Sequence, residues 1–335
     1  MNLIRAKLYQ LTVCIALLFF GALVCGQEVR CDPTKTMTAE TCAKCHGNEV
    51  SVWKSTPHFK TYEELSRRPR SKEICRNMGL GSSVKRNDIC TQCHFTMQDQ
   101  GSRVKAIAGV SCESCHGASE DWVNVHNDYG GPTATKASET SQHKQQRLQT
   151  ATELGMRNTQ NLYLIASSCL NCHTVPNEKL VNVGGHFAGT DDFELVAYSQ
   201  GSVRHNFLRT ENTTNAESTG ERLRLMYVVG LIVDLEYSTR ATAQATEKSN
   251  YGLKVANRAA QKAVKLYEVQ QEINNPTVQA ILETFAAANL RINNQQQLEE
   301  IADKIGELGQ QFASSEDGSN LASVDPFLPD PSTYK

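Results

Sequence analysis

The chain has 335 residues, of which 39% are apolar and 21% charged, and its mean hydropathy is −0.43. This composition suits one large or two ordinary soluble domains and excludes a protein with many membrane spans. The 34 Lys and Arg residues balance 36 Asp and Glu residues, so the chain lacks the basic excess of nucleic-acid-binding proteins. Its 12 cysteines are too many for a typical cytosolic enzyme and too dispersed for a small disulfide scaffold.

Residues 1–26 have the pattern of a signal peptide. Two cations, Arg5 and Lys7, precede an apolar run from Leu11 to Cys25 that is too short to span a bilayer comfortably. We expect cleavage before Gln27 and export to the periplasm or beyond, with an uncleaved membrane anchor as the alternative.

Beyond this leader, eight of the ten remaining cysteines form four pairs of identical spacing. The pairs are Cys42 and Cys45, Cys90 and Cys93, Cys112 and Cys115, and Cys169 and Cys172. Two C-x-x-C pairs could form a tetrahedral zinc cage. However, a histidine follows every pair: His46, His94, His116 and His173. Because C-x-x-C-H is the signature of covalent haem attachment, we predict four haem c groups, each with one iron.

The chemistry of attachment explains this spacing. Two thiols on one helical turn can add to the two vinyl groups of a haem, while the adjacent histidine turns its imidazole onto the iron. Cys31 and Cys75 are left over, and in an oxidising compartment we expect a disulfide between them.

The second axial position of each iron decides the kind of function. When both positions are filled the iron favours electron transfer, whereas a vacant position favours binding of small molecules. Five further histidines are candidates for that position: His58, His126, His143, His186 and His205. Met78, Met97 and Met156 are weaker candidates, because the spare histidines already outnumber the sites.

Two stretches carry a family resemblance. The run Cys42-Ala-Lys-Cys45-His46, followed by Trp53 and His58, resembles the opening of the nitrifier tetrahaem cytochrome c-554 family. The run Gly109-Val-Ser-Cys112-Glu-Ser-Cys115-His116-Gly117, followed by His126, is similar to the third haem segment of that family. The resemblance extends over roughly residues 38 to 207.

The resemblance implies which histidines lie opposite which motifs. His126 would be the distal ligand of the haem at Cys42 and Cys45, His58 that of the haem at Cys169 and Cys172, and His205 that of the haem at Cys112 and Cys115. His205 lies in a stretch with a helical pattern, Phe193 to Leu208.

In the family the second haem, here on His94, has no distal protein ligand. This sequence offers His186 there, as a ligand or as a distal-pocket residue, because two glycines before it allow close backbone approach. His143, in a polar stretch, is the weaker candidate.

Two domains are predicted. Residues 27–215 would form an irregular, mainly α tetrahaem domain with short helices, in which the macrocycles supply much of the apolar core. His94 and His116 are close in sequence, which predicts that the middle two haems lie close together.

Residues 216–313 change to long helical patterns and contain neither cysteine nor histidine. A seam of Leu298, Ile301, Ile305, Leu308 and Phe312, and a capped start at Asn275-Pro276, predict a four-helix bundle or a docked helical layer. The apolar stretch Met226 to Leu235 contains Asp234 and is too short for a membrane span. We expect an extended tail over residues 314–335.

Two classes of function follow. The first is a periplasmic electron carrier between a redox enzyme and a downstream acceptor, and the resemblance implies a donor like hydroxylamine oxidoreductase. The second is an enzyme acting on a small nitrogen oxide at an open iron on His94, with His186 as proton donor. The C-terminal helices would stabilise the protein, form a homo-oligomer or dock a partner, and a haem filament built through them is a third alternative.

Overall fold

The computed structural model describes residues 31–335, so the predicted signal peptide lies outside the described residues. The protein is mainly helical, with 58% helix and 3% strand. The expected α fold, with short helices followed by a helical C-terminal region, is therefore confirmed.

The N-terminal part consists of short helices and one hairpin. The helices are α1 (Ala39–Ala43), α2 (Gly47–Ser55), α3 (Pro57–Glu64), α4 (Pro69–Asn77), α5 (Asp88–His94), α6 (Cys112–His116), α7 (Ser141–Glu153), α8 (Leu162–His173), α9 (Glu178–Asn182) and α10 (Leu195–Ser199). Strands β1 (Thr96–Asp99) and β2 (Val104–Ala108) pair antiparallel, with a register shift between Thr96 and Met97. Short 3₁₀ turns lie at Leu65–Arg67, Val84–Arg86 and Phe207–Thr210.

The C-terminal part contains the four helices that the pattern predicts: α11 (Gly220–Ala243), α12 (Asn250–Ile273), α13 (Pro276–Ala286) and α14 (Gln295–Ser315). Helix α13 begins at the expected cap, where the Asn275 side chain accepts hydrogen bonds from Thr277 N and Val278 N. Of the seam on α14, all members except Leu308 are buried, and Leu308 packs on the core at its edge.

The largest hydrophobic core crosses the predicted boundary at residue 215. It joins Leu162, Tyr163, Ala166 and Leu170 of α8 to residues of all four C-terminal helices. Tyr163 also donates a hydrogen bond of 2.7 Å from its hydroxyl to Glu236 Oε2 on α11. The helix that carries the fourth C-x-x-C-H motif is thus part of the C-terminal core, and the boundary itself stays a prediction.

The last twenty residues do not form the extended tail that their composition suggested. They continue through the 3₁₀ turns Ala322–Phe327 and Pro331–Thr333, and Leu321 and Val324 are buried in the main core. At the very end, Lys335 N donates to Ala197 O over 3.0 Å. Phe327, Leu328 and Tyr334 also pack against this core.

Among residues 31–335, no helix is long and apolar enough to cross a membrane. Asp234 lies within the most apolar stretch of α11 and is 1% exposed.

Candidate haem sites

Each C-x-x-C-H motif lies on or beside the end of a short helical segment. Helices α5, α6 and α8 all end at the motif histidine, namely His94, His116 and His173. In the first motif Cys42 lies on α1, and His46 directly precedes α2. Helical geometry brings residues three and four apart onto one face, so each motif presents its thiols and its imidazole together.

The structure places a second histidine opposite each motif histidine. The ring centroids are 6.3 Å apart for His46 and His126, 6.3 Å for His58 and His173, 6.2 Å for His94 and His186, and 6.2 Å for His116 and His205. The first, second and fourth of these pairs are the ones that the family resemblance implied. The third pairs the remaining motif with the glycine-flanked candidate.

The spacing fits a metal ion between two imidazoles. A metal–nitrogen bond of about 2.0 Å on each side, plus about 1.1 Å from each nitrogen to its ring centre, gives centroids about 6.2 Å apart. Direct aromatic contacts also fall between about 4.5 and 7 Å. Four pairs that agree within 0.1 Å, each with one motif histidine, favour the metal.

Two buried donors beside these pairs also fit a haem. Trp122 Nε1 and Arg204 Nε are buried without a hydrogen-bond partner in the part of the chain that the structure describes. The Trp122 ring lies 5.2 Å from that of His126, and Arg204 immediately precedes His205. A haem brings carboxylate acceptors of its own, and a buried donor without an acceptor is costly. The residues present therefore fit haem c.

Hydrogen bonds made by Nδ1 fix the orientation of five of the eight rings. Nδ1 contacts a backbone carbonyl in four of them: Arg157 O for His116, at 3.2 Å; Val123 O for His126, at 2.6 Å; Phe187 O for His186, at 2.9 Å; and Val203 O for His205, at 2.6 Å. In His173 it contacts Thr190 Oγ1 at 3.0 Å. A proton on Nδ1 leaves the lone pair of Nε2 for a metal, as in known metal-binding histidines.

Burial keeps several of these imidazoles neutral. It lowers the pKa of His94, His116 and His173 to about 4, and the facing histidine adds to the effect in each case. Burial also lowers the pKa of His58 and His126. At neutral pH these rings are therefore uncharged, which is the form that coordinates iron.

His58 is held by residues that the sequence offered only as family markers. Trp53 Nε1 donates to Val110 O over 2.8 Å, and Val110 N donates to His58 O over 3.2 Å. Gly109 makes this approach possible, because a Cβ there would lie 2.2 Å from His58 O. Trp53 and Gly109 thus fix the helix that carries His58.

His186 lies on a short loop after α9 that is fastened to α4. Arg70 Nη2 donates to Gly185 O over 2.7 Å, and Asn77 Nδ2 donates to Gly184 O over 3.3 Å. A Cβ on Gly184 would lie 2.4 Å from Leu180 O. Gly184 therefore permits close packing of this loop on α9, and helix α4 positions the loop that carries His186.

Contacts between cysteines show which motifs are neighbours. The thiol of Cys112 lies beside that of Cys42, and the thiol of Cys172 lies beside that of Cys93. Ser168 Oγ, next to the fourth motif, donates to Cys115 O over 3.0 Å. The contacts thus join the first motif to the third, the third to the fourth, and the fourth to the second.

The closeness of the middle two sites stays a prediction. The hairpin β1–β2 lies between the second and third motifs, and Thr96 Oγ1, two residues after His94, hydrogen-bonds to Ser111 and to Ser114 of the third motif. The segment that follows the second motif is therefore in contact with the third motif.

The predicted disulfide between Cys31 and Cys75 is absent, because each thiol has other neighbours. Cys31 contacts Thr36 Oγ1 and Glu113 O, both at 3.5 Å, and burial raises its pKa to about 11. Cys75 is buried near Cys90 and accepts from Asn87 Nδ2 at 3.7 Å.

The other weaker candidates lie elsewhere or have no open position to fill. His143 Nδ1 lies 2.8 Å from Glu139 Oε1 in an ion cluster with Arg147. Met78 packs near Gly184, and Met97 packs beside Phe95. In residues 31–335 no three histidine, cysteine or carboxylate side chains converge as metal ligands.

His205 is not on a helix, contrary to the pattern of Phe193 to Leu208. Helix α10 ends at Ser199, and Lys335 occupies the space of the next turn. Ser202 N donates to Lys335 O over 2.6 Å, and a Cβ on Gly201 would meet that same oxygen.

The C-x-x-C-H motifs and facing histidines are the features of a c-type cytochrome, the class that binds haem c covalently. Comparisons with known proteins agree. Residues 41–117 match a family model described as cytochrome c554 and c-prime. The cytochrome c-554 of Nitrosomonas europaea is 29% identical over 98 residues, which cover 27% of this chain and 41% of that protein. The resemblance to the cytochrome c-554 family is thus confirmed for this part of the chain, and no solved structure matches.

Proposed function

We propose that the protein is an electron carrier with four haem c groups, all six-coordinate. The four cysteine pairs attach them, and His46, His94, His116 and His173 are the proximal ligands. His126, His186, His205 and His58, in that order, are the distal ligands. A bound haem supplies one iron that alternates between the ferric and ferrous states.

The position of His186 carries this proposal. Its ring faces His94 at the same separation as the other three pairs, which supports a filled second site. The alternative of an enzyme needs an open iron on His94 and a distal proton donor. With His186 as a ligand, that position is closed and electron transfer is favoured.

The neighbour relations of the motifs suggest a route with two ends. Along this route the electron would pass the first, third, fourth and second haem sites in turn. The contacts of Cys42, Cys93 and Ser168 support this order. At the first end Cys45 is exposed, and at the second end Val183 and Phe187 beside His186 are exposed. Donor and acceptor would therefore meet the protein at different faces.

In this function the polypeptide binds the haem groups and orients their histidine ligands. The Nδ1 hydrogen bonds hold five of the eight imidazoles in the tautomer that coordinates through Nε2. The buried helices exclude water, which keeps the energy of reorganisation on electron transfer low. We further propose export by residues 1–26 and a redox enzyme as donor, of which a hydroxylamine oxidoreductase-like protein is the candidate that the resemblance offers.

The test is to purify the exported protein and to measure its mass and its redox titration. We expect the mass of the chain with four haem groups, and four electrons taken up per chain. Reduced protein mixed with nitric oxide or hydroxylamine should show no turnover. Fewer haem groups, or steady turnover of either compound, would contradict the proposal.

A further inference from the structure

A buried charged cluster joins the C-terminal helices to the fourth haem site. Asp234 of α11 accepts hydrogen bonds from Arg258 Nε at 2.6 Å and Nη2 at 2.9 Å, and Lys262 Nζ lies 2.8 Å from Asp234 Oδ2. The three side chains are at most 10% exposed. Burying charges is costly, and replacing a buried ion pair by apolar residues of similar size often leaves a protein equally stable or more stable. The cluster therefore calls for an explanation beyond stability.

Both cations complete their hydrogen bonds outside the C-terminal helices. Arg258 Nη1 donates to Thr190 O over 2.8 Å and approaches His173 O at 3.3 Å. Lys262 Nζ donates to Phe193 O over 3.1 Å. The cluster thus fixes the backbone of residues 190–193.

Residues 190–193 in turn hold the ring of His173. Thr190 N donates to His173 O over 2.9 Å, and Thr190 Oγ1 contacts His173 Nδ1 at 3.0 Å. The Phe193 ring packs against the imidazole with centroids 4.8 Å apart. Gly189 has φ +89°, and a Cβ there would lie 3.1 Å from Arg258 Nη1, so the residue leaves room for the guanidinium.

We propose that Arg258, held by Asp234, is a positioning residue for His173 and that it sets the reduction potential of the fourth haem. This rests on the proposed function. The cluster carries two positive charges and one negative charge, and its net positive charge favours the ferrous iron. The hydrogen bond from Arg258 to Thr190 O keeps the Thr190 hydroxyl in contact with Nδ1 of His173. Groups that hydrogen-bond to a metal ligand change the properties of the metal. The C-terminal helices thereby act on a haem that they do not attach.

The experiment compares redox titrations and low-spin electron paramagnetic resonance spectra of the full haem-containing protein and its variants. In Arg258→Gln we expect one of the four reduction potentials to fall by at least about 59 mV. For a one-electron couple this is a tenfold change in the equilibrium constant. Arg258→Lys keeps the charge and should restore most of that potential.

The control is Lys254→Ala on the same helix. Lys254 pairs with Asp191 at 3.2 Å, but both side chains are more than half exposed, so water screens the lost charge. We expect all four reduction potentials to stay so close to the wild-type values that the equilibrium constant of each couple changes less than twofold. An effect of Lys254→Ala as large as that of Arg258→Gln would overturn the proposal, because the loss of any nearby cation would then change the reduction potential equally.

Thr190→Val is a second variant that preserves shape and removes only the hydroxyl. It should shift the low-spin signal of the same haem that responds to Arg258→Gln. If the variants lose stability while all four potentials and signals stay unchanged, the cluster is structural only and the proposal is wrong. Failure of the proposed function would show separately, as fewer than four low-spin haems in the wild-type protein.

Discussion

His186 faces His94 with ring centroids 6.2 Å apart, on a loop that helix α4 holds through Arg70 and Asn77. The two histidines come from distant parts of the chain, and neither the cysteine spacing nor the family resemblance joins them. Their relationship makes the second site equivalent to the other three. A chain with four equivalent sites is suited to carrying electrons and leaves no iron open to substrate.

Replacing His186 should open one site. In His186→Ala we expect one of four haems to become high-spin and to bind carbon monoxide when reduced, while the other three stay low-spin. Spin quantitation and absorption spectra under carbon monoxide measure both effects. His143→Ala is the matched control, because His143 bonds to Glu139 and faces no motif histidine. A low-spin second haem in His186→Ala would show that His186 is not its ligand.

Gly109→Ala should disrupt the close packing that positions His58. The new Cβ would lie 2.2 Å from His58 O, so the backbone must move, and we expect a loss of about 3 kcal/mol in the free energy of unfolding. Gly81→Ala, which has nothing within 4 Å, should stay within about 0.5 kcal/mol of the wild type. Guanidinium unfolding followed by haem absorption measures both, and equal stability of the two variants would speak against the close packing at Gly109.

Acid should weaken the first site through Glu139. The hydrogen bond from Arg147 lowers the pKa of Glu139 to about 2 from its ordinary value of 4.5, and Arg147 also donates to His126 O. A lowered pKa stabilises the fold above the ordinary value, and this contribution is lost as pH falls from about 4.5 to 2. Unfolding midpoints should fall more steeply over this range in the wild type than in Glu139→Gln. Parallel pH profiles would contradict this.

The C-terminal segment should contribute to stability as a packed element. Leu321→Ala removes a side chain that is 2% exposed in the main core, and we expect a loss of about 2–4 kcal/mol in the free energy of unfolding. Leu208→Ala, at a residue 52% exposed, is the control and should cost less than about 0.5 kcal/mol. Thermal or guanidinium unfolding measures both losses, and a Leu321→Ala variant as stable as the wild type would favour the extended tail that the sequence predicted.

Local patterns predicted much of this molecule. The C-x-x-C-H motifs, the helical character and the cap at Asn275 depend on neighbouring residues, so they are readable from the sequence. What failed depends on contacts between distant segments. The end of α10 is set by Lys335, and the neighbours of the Cys31 and Cys75 thiols belong to separate motifs. Spacing along the chain carries no information on these contacts.

The most direct measurement is the spin state of every iron in the purified, oxidised protein. Electron paramagnetic resonance with spin quantitation should show four low-spin haems per chain, and carbon monoxide should leave the reduced spectrum unchanged. A high-spin signal from one haem in four that disappears on binding the gas would contradict six-coordination at His94, and with it the assignment of a pure electron carrier.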